Sequence, residues 1–448
     1  MLSTALEKRI KRQIIGKPHR FLAIVPLGFE QTLVQELLGL GLDFVDDESK
    51  PHAASDGKVE FTVKITEAWK AVAYSRIANR ILMHVDDFKA ENFRDLEKKA
   101  AEIPWELYLA APPDQIHVTC KHSRLYHSDA VAERLQKTIG GSLPLAQRHP
   151  SEGREQHSLS EPQLLHVTLV DDRCTIWHDF SGEELYKRGH ERFVNDAPLK
   201  ETIAAAMLFE ASGVAPSKEI AVFDLMAGSG TFSLEAAYMA NGLIPGKCRD
   251  FALKHQPAFK EATWNFITRN IVDGDNGAKQ SIARIITSDI SPKAVEIIKH
   301  NVECSPLAGI EPALVSPQLR DFFDYTAQEI ANACQAGIHS DNSNPSKTVP
   351  VIILNPPYGK RLDFDAPKLY MRIGRRLTEL ARDLRALGQS LTVAILAPKD
   401  DNRPGSAYTC TANLLRECPG LSPEHNPAAK CIATSHGGFS LNVFIAKI

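Results

Sequence analysis

The chain has 448 residues, 43% of them hydrophobic and 24% charged, and its 52 Lys and Arg against 55 Asp and Glu leave a formal net charge of −3. At roughly 150 residues per domain, that length holds more than one domain with a core of its own, and the proportions exclude a disordered, collagen-like or fibrous chain. No apolar run approaches the ~18 residues of a bilayer span, and the opening MLSTALEKRIKRQIIGK lacks the apolar stretch and cleavage site of a secretory signal. A soluble, cytoplasmic protein is expected. The cysteines at 120, 174, 248, 304, 334, 410, 418 and 431 form no CxxC pair. That spacing suits neither a zinc ribbon nor a disulfide framework, so reduced thiols and no metal are expected. The near-neutral total hides a local excess. Over residues 1–20, Lys8, Arg9, Lys11, Arg12, Lys17 and Arg20 stand against Glu7 alone, and residues 1–19 read as a basic, solvated tail.

From Arg20, FLAIVPLGFEQTLVQELLGLG reads as a short buried strand, a Pro-Gly turn and an amphipathic helix with Leu33, Val34, Leu37 and Leu38 at helical spacing. Lys58 to Ile65 alternates like a half-buried strand, a helix is expected from about Glu67 to Ala78, and Arg80 to Val85 is the next strand. Gln115 to Cys120 predicts a strand and Asp129 to Ile139 a helix. Leu164 to Val170 and Cys174 to His178 flank an Asp-Asp-Arg turn, a hairpin signal. Residues 20–180 therefore mix helices with short strands in an α+β pattern.

Beyond Ser181 the rhythm changes. Apolar strands at Ala221 to Phe223, Ala283 to Thr287, Val349 to Leu354 and Leu391 to Leu396 alternate with helices opening at Gly230, near Ser291 and at Pro367. That alternation predicts an α/β region, a parallel sheet with helices on its faces. Lys430 to Thr434 and Phe439 to Lys447 are close enough to pair antiparallel. His339 to Lys347 and most of Asp400 to Pro427 read as loops. The boundary between the two regions is placed between Asp179 and Lys187, so the second spans 181–448.

The most informative segment is VFDLMAGSGTFSLEAA, residues 222–237. A strand ends in Asp224, a loop holds Gly228 and Gly230, and a helix follows. Glycine lets the backbone turn sharply and approach a ligand with no side chain in the way. A P-loop needs Lys after its last glycine, and none follows Gly230; a dinucleotide fingerprint needs a third glycine where this chain has Ser233. The next strand-end acid is Asp289, followed by Ile290. It is placed to accept hydrogen bonds from both hydroxyls of a ribose, while Asp224 can accept from an ammonium group over the glycine loop. An amino-acid head and a ribose describe S-adenosylmethionine. Asp321, in Arg320-Asp-Phe-Phe, is a candidate acceptor for an adenine amine. The expected donor contacts are Asp224, Ala227, Gly228, Ser229, Gly230, Thr231, Asp289, Ile290, Asp321 and Asn355.

Asn355-Pro-Pro-Tyr358 follows a buried strand. Two prolines stiffen the loop and present its carbonyls outward. The exocyclic amine of a nucleobase is a poor nucleophile because its lone pair is delocalised into the ring. The Asn355 oxygen and the Pro356 carbonyl can accept its hydrogens and favour a pyramidal nitrogen, with Pro357 fixing the turn. The Tyr358 ring can stack on the base and hold it in line.

With these residues in view, the chain resembles the class I S-adenosylmethionine-dependent RNA methyltransferases that carry an N-terminal THUMP domain, above all the bacterial 23S rRNA guanine-N2 methyltransferases. The resemblance runs through FLAIVPLGFEQTLVQELLGLG, Ser75-Arg-Ile-Ala-Asn-Arg80, Ser123-Arg-Leu-Tyr-His127 and the linker Ser181-Gly-Glu-Glu-Leu-Tyr-Lys-Arg-Gly189. It continues through Ala197-Pro-Leu-Lys-Glu201, the Asp224 loop, Asp289 and Asn355-Pro-Pro-Tyr-Gly-Lys-Arg-Leu362. It implies a ferredoxin-like piece plus THUMP (about 65–175) for RNA capture and a seven-stranded catalytic domain, with structured RNA, rRNA foremost, as partner. Leu225 and Ala227 replace the Pro and Cys common in the family, and His190 departs from its aromatic linker position. Some relatives carry a second methyltransferase domain; this chain ends at its last predicted strand, so one is expected.

Arg124, Lys187, Arg188, Arg361, Arg372 and Arg376 are the candidate RNA contacts, the last two on a helix rich in basic residues. Such contacts supply affinity without sequence choice. The same Asn-Pro-Pro-Tyr loop serves adenine N6 in RNA or DNA, and a tRNA guanine is a further alternative. An RNA-binding or assembly protein that no longer turns over is the third reading.

Overall fold

Among the described residues, seven strands of the N-terminal region, several with alternating burial, form one sheet, and seven later strands, the central ones buried almost throughout, form another. The structure is a computed structural model, and it describes residues 4–143, 161–194, 198–215, 219–269, 281–309, 314–335, 348–358, 365–400 and 409–448. The chain forms two units. One holds the residues up to Val25, Val34–Gly189 and a segment from Gly246; the other holds Pro26–Leu33, His190–Pro245 and the later chain to Ile448.

The first unit begins with α1 (Thr4–Ile10), continued by a π-helical turn over Lys11–Ile15. Here the structure corrects the expected solvated tail. Ile10 and Ile14 are each 3% exposed and Arg9 pairs with Glu106 at 2.6 Å. The two isoleucines form one apolar stripe inside a basic run, which a count of charges obscures. Next come β1 (Pro18–Ile24), α2 (Glu30–Gly39), β2 (His52–Ser55), β3 (Lys58–Lys64), α3 (Ile65–Tyr74) and β4 (Arg80–Lys89). After them stand α4 (Phe93–Glu102), β5 (Gln115–Lys121), α5 (Ser128–Ser142), β6 (Leu164–Val170) and β7 (Arg173–Asp179). The sheet order is β2-β3-β1-β4-β7-β6-β5. Only β5 and β6 pair in parallel; the other neighbours run antiparallel. Leu165, Val167, Ile176 and Val85 on one face bury Leu96 of α4 and Leu135 and Ile139 of α5. β4 runs past the expected Val85 because a bulge between His84 and Asp86 lets it follow β7 to Lys89.

The second unit uses α6 (Glu201–Val214), β8 (Glu219–Asp224) and α7 (Thr231–Ala240); α8 (Glu261–Arg269) returns to the first unit. Then follow β9 (Ser281–Asp289), α9 (Pro292–Glu303), β10 (Gln318–Leu319), α10 (Ala327–Gln335), β11 (Val349–Leu354) and α11 (Ala366–Ala386). Last come β12 (Thr392–Pro398), α12 (Cys410–Glu417), β13 (Lys430–His436) and β14 (Phe439–Lys447). The order β10-β9-β8-β11-β12-β14-β13 is parallel through β12, with β14 antiparallel to both neighbours. Strand order reverses between β8 and β11, and that switch point is where sheets of this kind bind ligands, beyond the carboxyl ends of the strands.

The stretch expected as loop after Asp400 contains α12, whose Cys410 and Leu414 are wholly buried beside α11. His339 to Lys347 lies outside the described residues. Among the described residues no helix is long and apolar enough to cross a membrane, and no disulfide joins any of the eight cysteines.

Candidate active site

The site is assembled at the β8–β11 switch point. Asp224 and Ile353 are register partners on these adjacent strands, so the loops that follow them emerge side by side. Both open into one cavity of about 480 Å³. Ala227, Gly228, Ser229, Thr231, Asp289, Ile290, Asn355, Pro356, Pro357 and Tyr358 all line it.

Backbone geometry fixes the glycine loop. Gly228 and Gly230 have φ of 57° and 79°, the left-handed region that glycine enters without strain. The Gly228 amide donates to Asp289 Oδ2 at 2.8 Å, the Ala227 amide to the Ser288 carbonyl at 3.1 Å, and the Ser291 amide to Asp289 Oδ1 at 2.9 Å. Asp289 thus stitches the β8 loop to the β9 end while staying in the cavity wall. Ile290, 69% exposed, offers an apolar ledge beside it.

Three predicted donor contacts sit elsewhere. Asp224 is wholly buried and does not line the cavity; its Oδ2 accepts from the Ser233 amide at 3.1 Å and the Ser233 hydroxyl at 2.7 Å. Oδ1 is buried with no hydrogen-bond partner among the described residues. Burial pushes the Asp224 carboxyl up to about 7, Ser233 opposes that, and the nearby Asp289 charge adds to it. Asp224 thereby props the start of α7 from below the loop. Gly230 makes the turn, and a Cβ there would meet Ile298 Cγ1 at 3.0 Å. Asp321 caps the short turn Phe322–Asp324, its side chain accepting from the Phe323 amide at 3.1 Å, and contributes Phe322 to the wall in its place.

The Asn355 loop presents acceptors. Asn355 Oδ1 is buried with no hydrogen-bond partner among the described residues. The Tyr370 hydroxyl donates to the Leu396 carbonyl at 3.0 Å and lies 3.5 Å from the Pro356 carbonyl. Tyr358 packs edge-on against Phe439, centroids 5.7 Å apart.

Two residues that sequence reasoning missed hold the glycine loop from outside. The Arg192 guanidinium pairs with Glu201 and donates to the hydroxyls of Thr231 and, at 3.3 Å, Ser229. Asn301, wholly buried on α9, accepts from the Phe193 amide at 2.8 Å and donates to the carbonyls of Phe193 at 2.9 Å and Ser229 at 3.0 Å. No motif marks an asparagine in the last turn of a helix, and the charge of Arg192 alone does not single it out.

The basic candidates separate. Arg372 is exposed above the Phe323 ring at 4.2 Å, Arg124 is exposed and paired with Glu91, and Lys187 is exposed and paired with Glu183. Arg376 is partly buried, donating to the Tyr325 carbonyl at 2.7 Å and Glu379 at 3.0 Å. Arg188 is a correction: it is 4% exposed and donates to the carbonyls of Leu185 and Arg76, each at 2.9 Å, so it braces the linker instead of facing a polyanion. Arg361 lies outside the described residues.

A reversed parallel sheet, a glycine loop tied to the next strand's acid and an Asn-Pro-Pro-Tyr loop on the adjoining strand give this unit the fold of the class I methyltransferases. More narrowly, residues 188–314 match the family model described as "RMKL-like, methyltransferase domain", and residues 20–82 match that of the "RlmL ferredoxin-like domain". The chain therefore carries one segment similar to the RlmL ferredoxin-like domain and a later one similar to the RMKL-like methyltransferase domain. It is 28% identical over 91% of its length to the ribosomal RNA large subunit methyltransferase K/L of Allochromatium vinosum, covering 52% of that protein. It is also 28% identical over 81% of its length to a Synechocystis protein, slr0064, named provisionally as an RNA methyltransferase, of which it covers 86%. The chain spans about half the length of the K/L relatives it matches. The crystal structure of SMU.472 complexed with SAH shares its fold, with a TM-score of 0.68 at 23% identity over 96% of this chain and 98% of that one.

Proposed function

We propose that the chain transfers a methyl group from S-adenosylmethionine to the exocyclic N2 amine of a guanine in RNA, acting in the cytoplasm, with large-subunit ribosomal RNA as the substrate its relatives' names favour. One observation carries the reading: the glycine loop and the Asn355 loop open into a single cavity, with a buried, unpartnered acceptor on the second.

The residues fit the donor. Asp289 offers carboxylate lone pairs for ribose hydroxyls, Ile290 and Phe322 offer apolar surface for a purine, and Gly228 leaves room above the loop, since a Cβ there would meet nothing within 4 Å. When bound, S-adenosylmethionine supplies an electrophilic sulfonium methyl. The chain does the rest by orientation. An acceptor buried without a donor costs about 1–3 kcal/mol, and an amine hydrogen on Asn355 Oδ1 relieves that cost only when the base is seated. A second hydrogen on the Pro356 carbonyl pulls the nitrogen toward a tetrahedral shape, and stacking on Tyr358 aims its lone pair along the line of displacement. Once methylated, the cationic nitrogen is acidic enough to lose its proton without a strong base. Arg124, Lys187 and Arg372 are exposed cations suited to backbone phosphates.

The test is incubation of the full chain with methyl-labelled S-adenosylmethionine and unmodified ribosomal RNA, followed by digestion to nucleosides. Label on guanine N2 is expected. Label on adenine N6 replaces the substrate, and no label on either base overturns the reading.

A further inference from the structure

Among the described residues a cluster of donor atoms lies outside that cavity. In the last turn of α9 stands His300, and Cys304, which caps that helix, follows one turn later with its thiol 3.5 Å from His300 Nε2. The segment entering the second unit adds Glu191, and one ligand atom from each of the three lies within 4.8 Å of the others. We propose that Glu191, His300 and Cys304 form a site for a divalent transition-metal ion of the zinc type, with water in the fourth position.

The chemistry and the spacing agree. A thiolate, an imidazole and a carboxylate are a borderline-soft set that suits zinc and not magnesium or calcium. A tetrahedral zinc with sulfur at ~2.3 Å and nitrogen at ~2.0 Å holds those two donors about 3.5 Å apart; the thiol now lies 3.5 Å from His300 Nε2 and 4.0 Å from Nδ1, so the exposed Cys304 side chain has only to turn toward the Nε2 lone pair to take its place beside the ion. The third ligand is brought in by contacts that need no metal. Phe193 stacks on the His300 ring, centroids 3.8 Å apart and planes 18° from parallel, which fixes the imidazole plane. Asn301 clamps both backbone groups of Phe193, holding Glu191, two residues away, over α9. His300 is half-buried while Glu191 and Cys304 are exposed, so an ion has a way in. Because Asn301 also holds the Ser229 carbonyl, the ion would staple residues 191–193 to the helix that supports the glycine loop. Its part is structural, and methyl transfer does not pass through it. The cysteine pattern hid this site because only one thiol takes part and the carboxylate comes from a distant segment.

Cobalt(II) occupies zinc sites and reports thiolate coordination by its absorption, so it is titrated into the full chain after chelator treatment. The expected result is saturable one-to-one binding with a thiolate-to-cobalt charge-transfer band, displaced by zinc and abolished in Cys304→Ser. His300→Asn and Glu191→Gln each lower cobalt affinity by about tenfold or more, while Cys248→Ser and Cys431→Ser, at two other exposed thiols, leave it unchanged. Circular dichroism matching the parent chain qualifies each variant for comparison. A band that survives Cys304→Ser, a band lost in Cys248→Ser or Cys431→Ser, or no saturable band at all overturns the site. These readouts do not depend on methyl transfer, so they stand or fall apart from the function proposed above.

Discussion

The Asn301 side chain donates to the Ser229 backbone carbonyl at 3.0 Å from within the protein, joining the last turn of α9 to the tip of the glycine loop. Asn301→Ala strands that carbonyl and both backbone groups of Phe193 at once. Unsatisfied buried groups cost about 1–3 kcal/mol each, less where water reaches them. The variant is expected to lose about 2 kcal/mol of stability in urea titration and roughly tenfold in calorimetric affinity for the methyl donor. Donor affinity equal to that of the parent chain would show that the loop does not depend on this bond.

The two loop glycines should fail in different ways. Both have positive φ, but a Cβ on Gly230 would press on Ile298 Cγ1 at 3.0 Å and Cγ2 at 3.2 Å, whereas one on Gly228 would meet nothing within 4 Å. Gly230→Ala adds a steric clash to left-handed strain, about 2–3 kcal/mol together. Gly228→Ala carries the strain alone, about 1 kcal/mol, and puts its methyl into the cavity wall. Thermal melts should rank Gly230→Ala as the less stable, and donor titration should rank Gly228→Ala as the weaker binder for its stability.

Most of the sheet was legible because its strands carry the strongest local signal. The residues of β11 are buried throughout and match the expected span of Val349 to Leu354. Tight turns were legible too, since glycine and proline act through the backbone itself. What escaped depends on distant partners. Asp224 has the sequence appearance of a ligand contact, yet only the path of α7 shows Ser233 capturing its carboxylate. Arg188 reads as a free cation until the linker folds its guanidinium onto two carbonyls. Arg192 and Asn301 matter through contacts with residues far from them in sequence, which periodicity does not encode.

Arg188 and Arg372 give a paired test of that distinction. Arg188→Met removes a buried donor to two carbonyls and is expected to cost on the order of 2 kcal/mol while leaving the salt dependence of RNA binding unchanged. Arg372→Ala leaves stability near that of the parent and lowers the slope of log affinity against log salt by about one. Filter binding over a salt series, beside urea titration, separates them. The reverse pattern would place the phosphate contact on the linker.

Asn355→Ala removes the unpartnered acceptor while leaving Asp289, Ile290 and Phe322 of the cavity wall in place. Loss of one positioned polar group at a reacting centre typically lowers turnover by about 10²–10³. Single-turnover transfer of labelled methyl should fall by that order, while affinity for the donor stays within about twofold. A loss of donor affinity with turnover per bound donor unchanged would move Asn355 from the amine to the donor. A pure RNA-binding protein would keep its binding and its function in this variant.

The Asp224 carboxyl supplies a pH signature. It is wholly buried, and burial raises it from an ordinary value of 3.8 to about 7 against the pull of two bonds from Ser233. Between those values the native chain keeps a proton that the unfolded chain has released. The native state then binds more protons than the unfolded one, and stability must fall as pH rises through the window. Above about 7 both states are ionised and the loss is complete. Asp224→Asn has no proton to release and keeps an oxygen for Ser233, so its stability should lack this component. Urea titrations at steps from pH 4 to 8 should show the parent chain losing stability relative to Asp224→Asn, with the gap levelling off past 7. Parallel curves across the whole range would mean that the buried acid ionises as readily in the fold as in water.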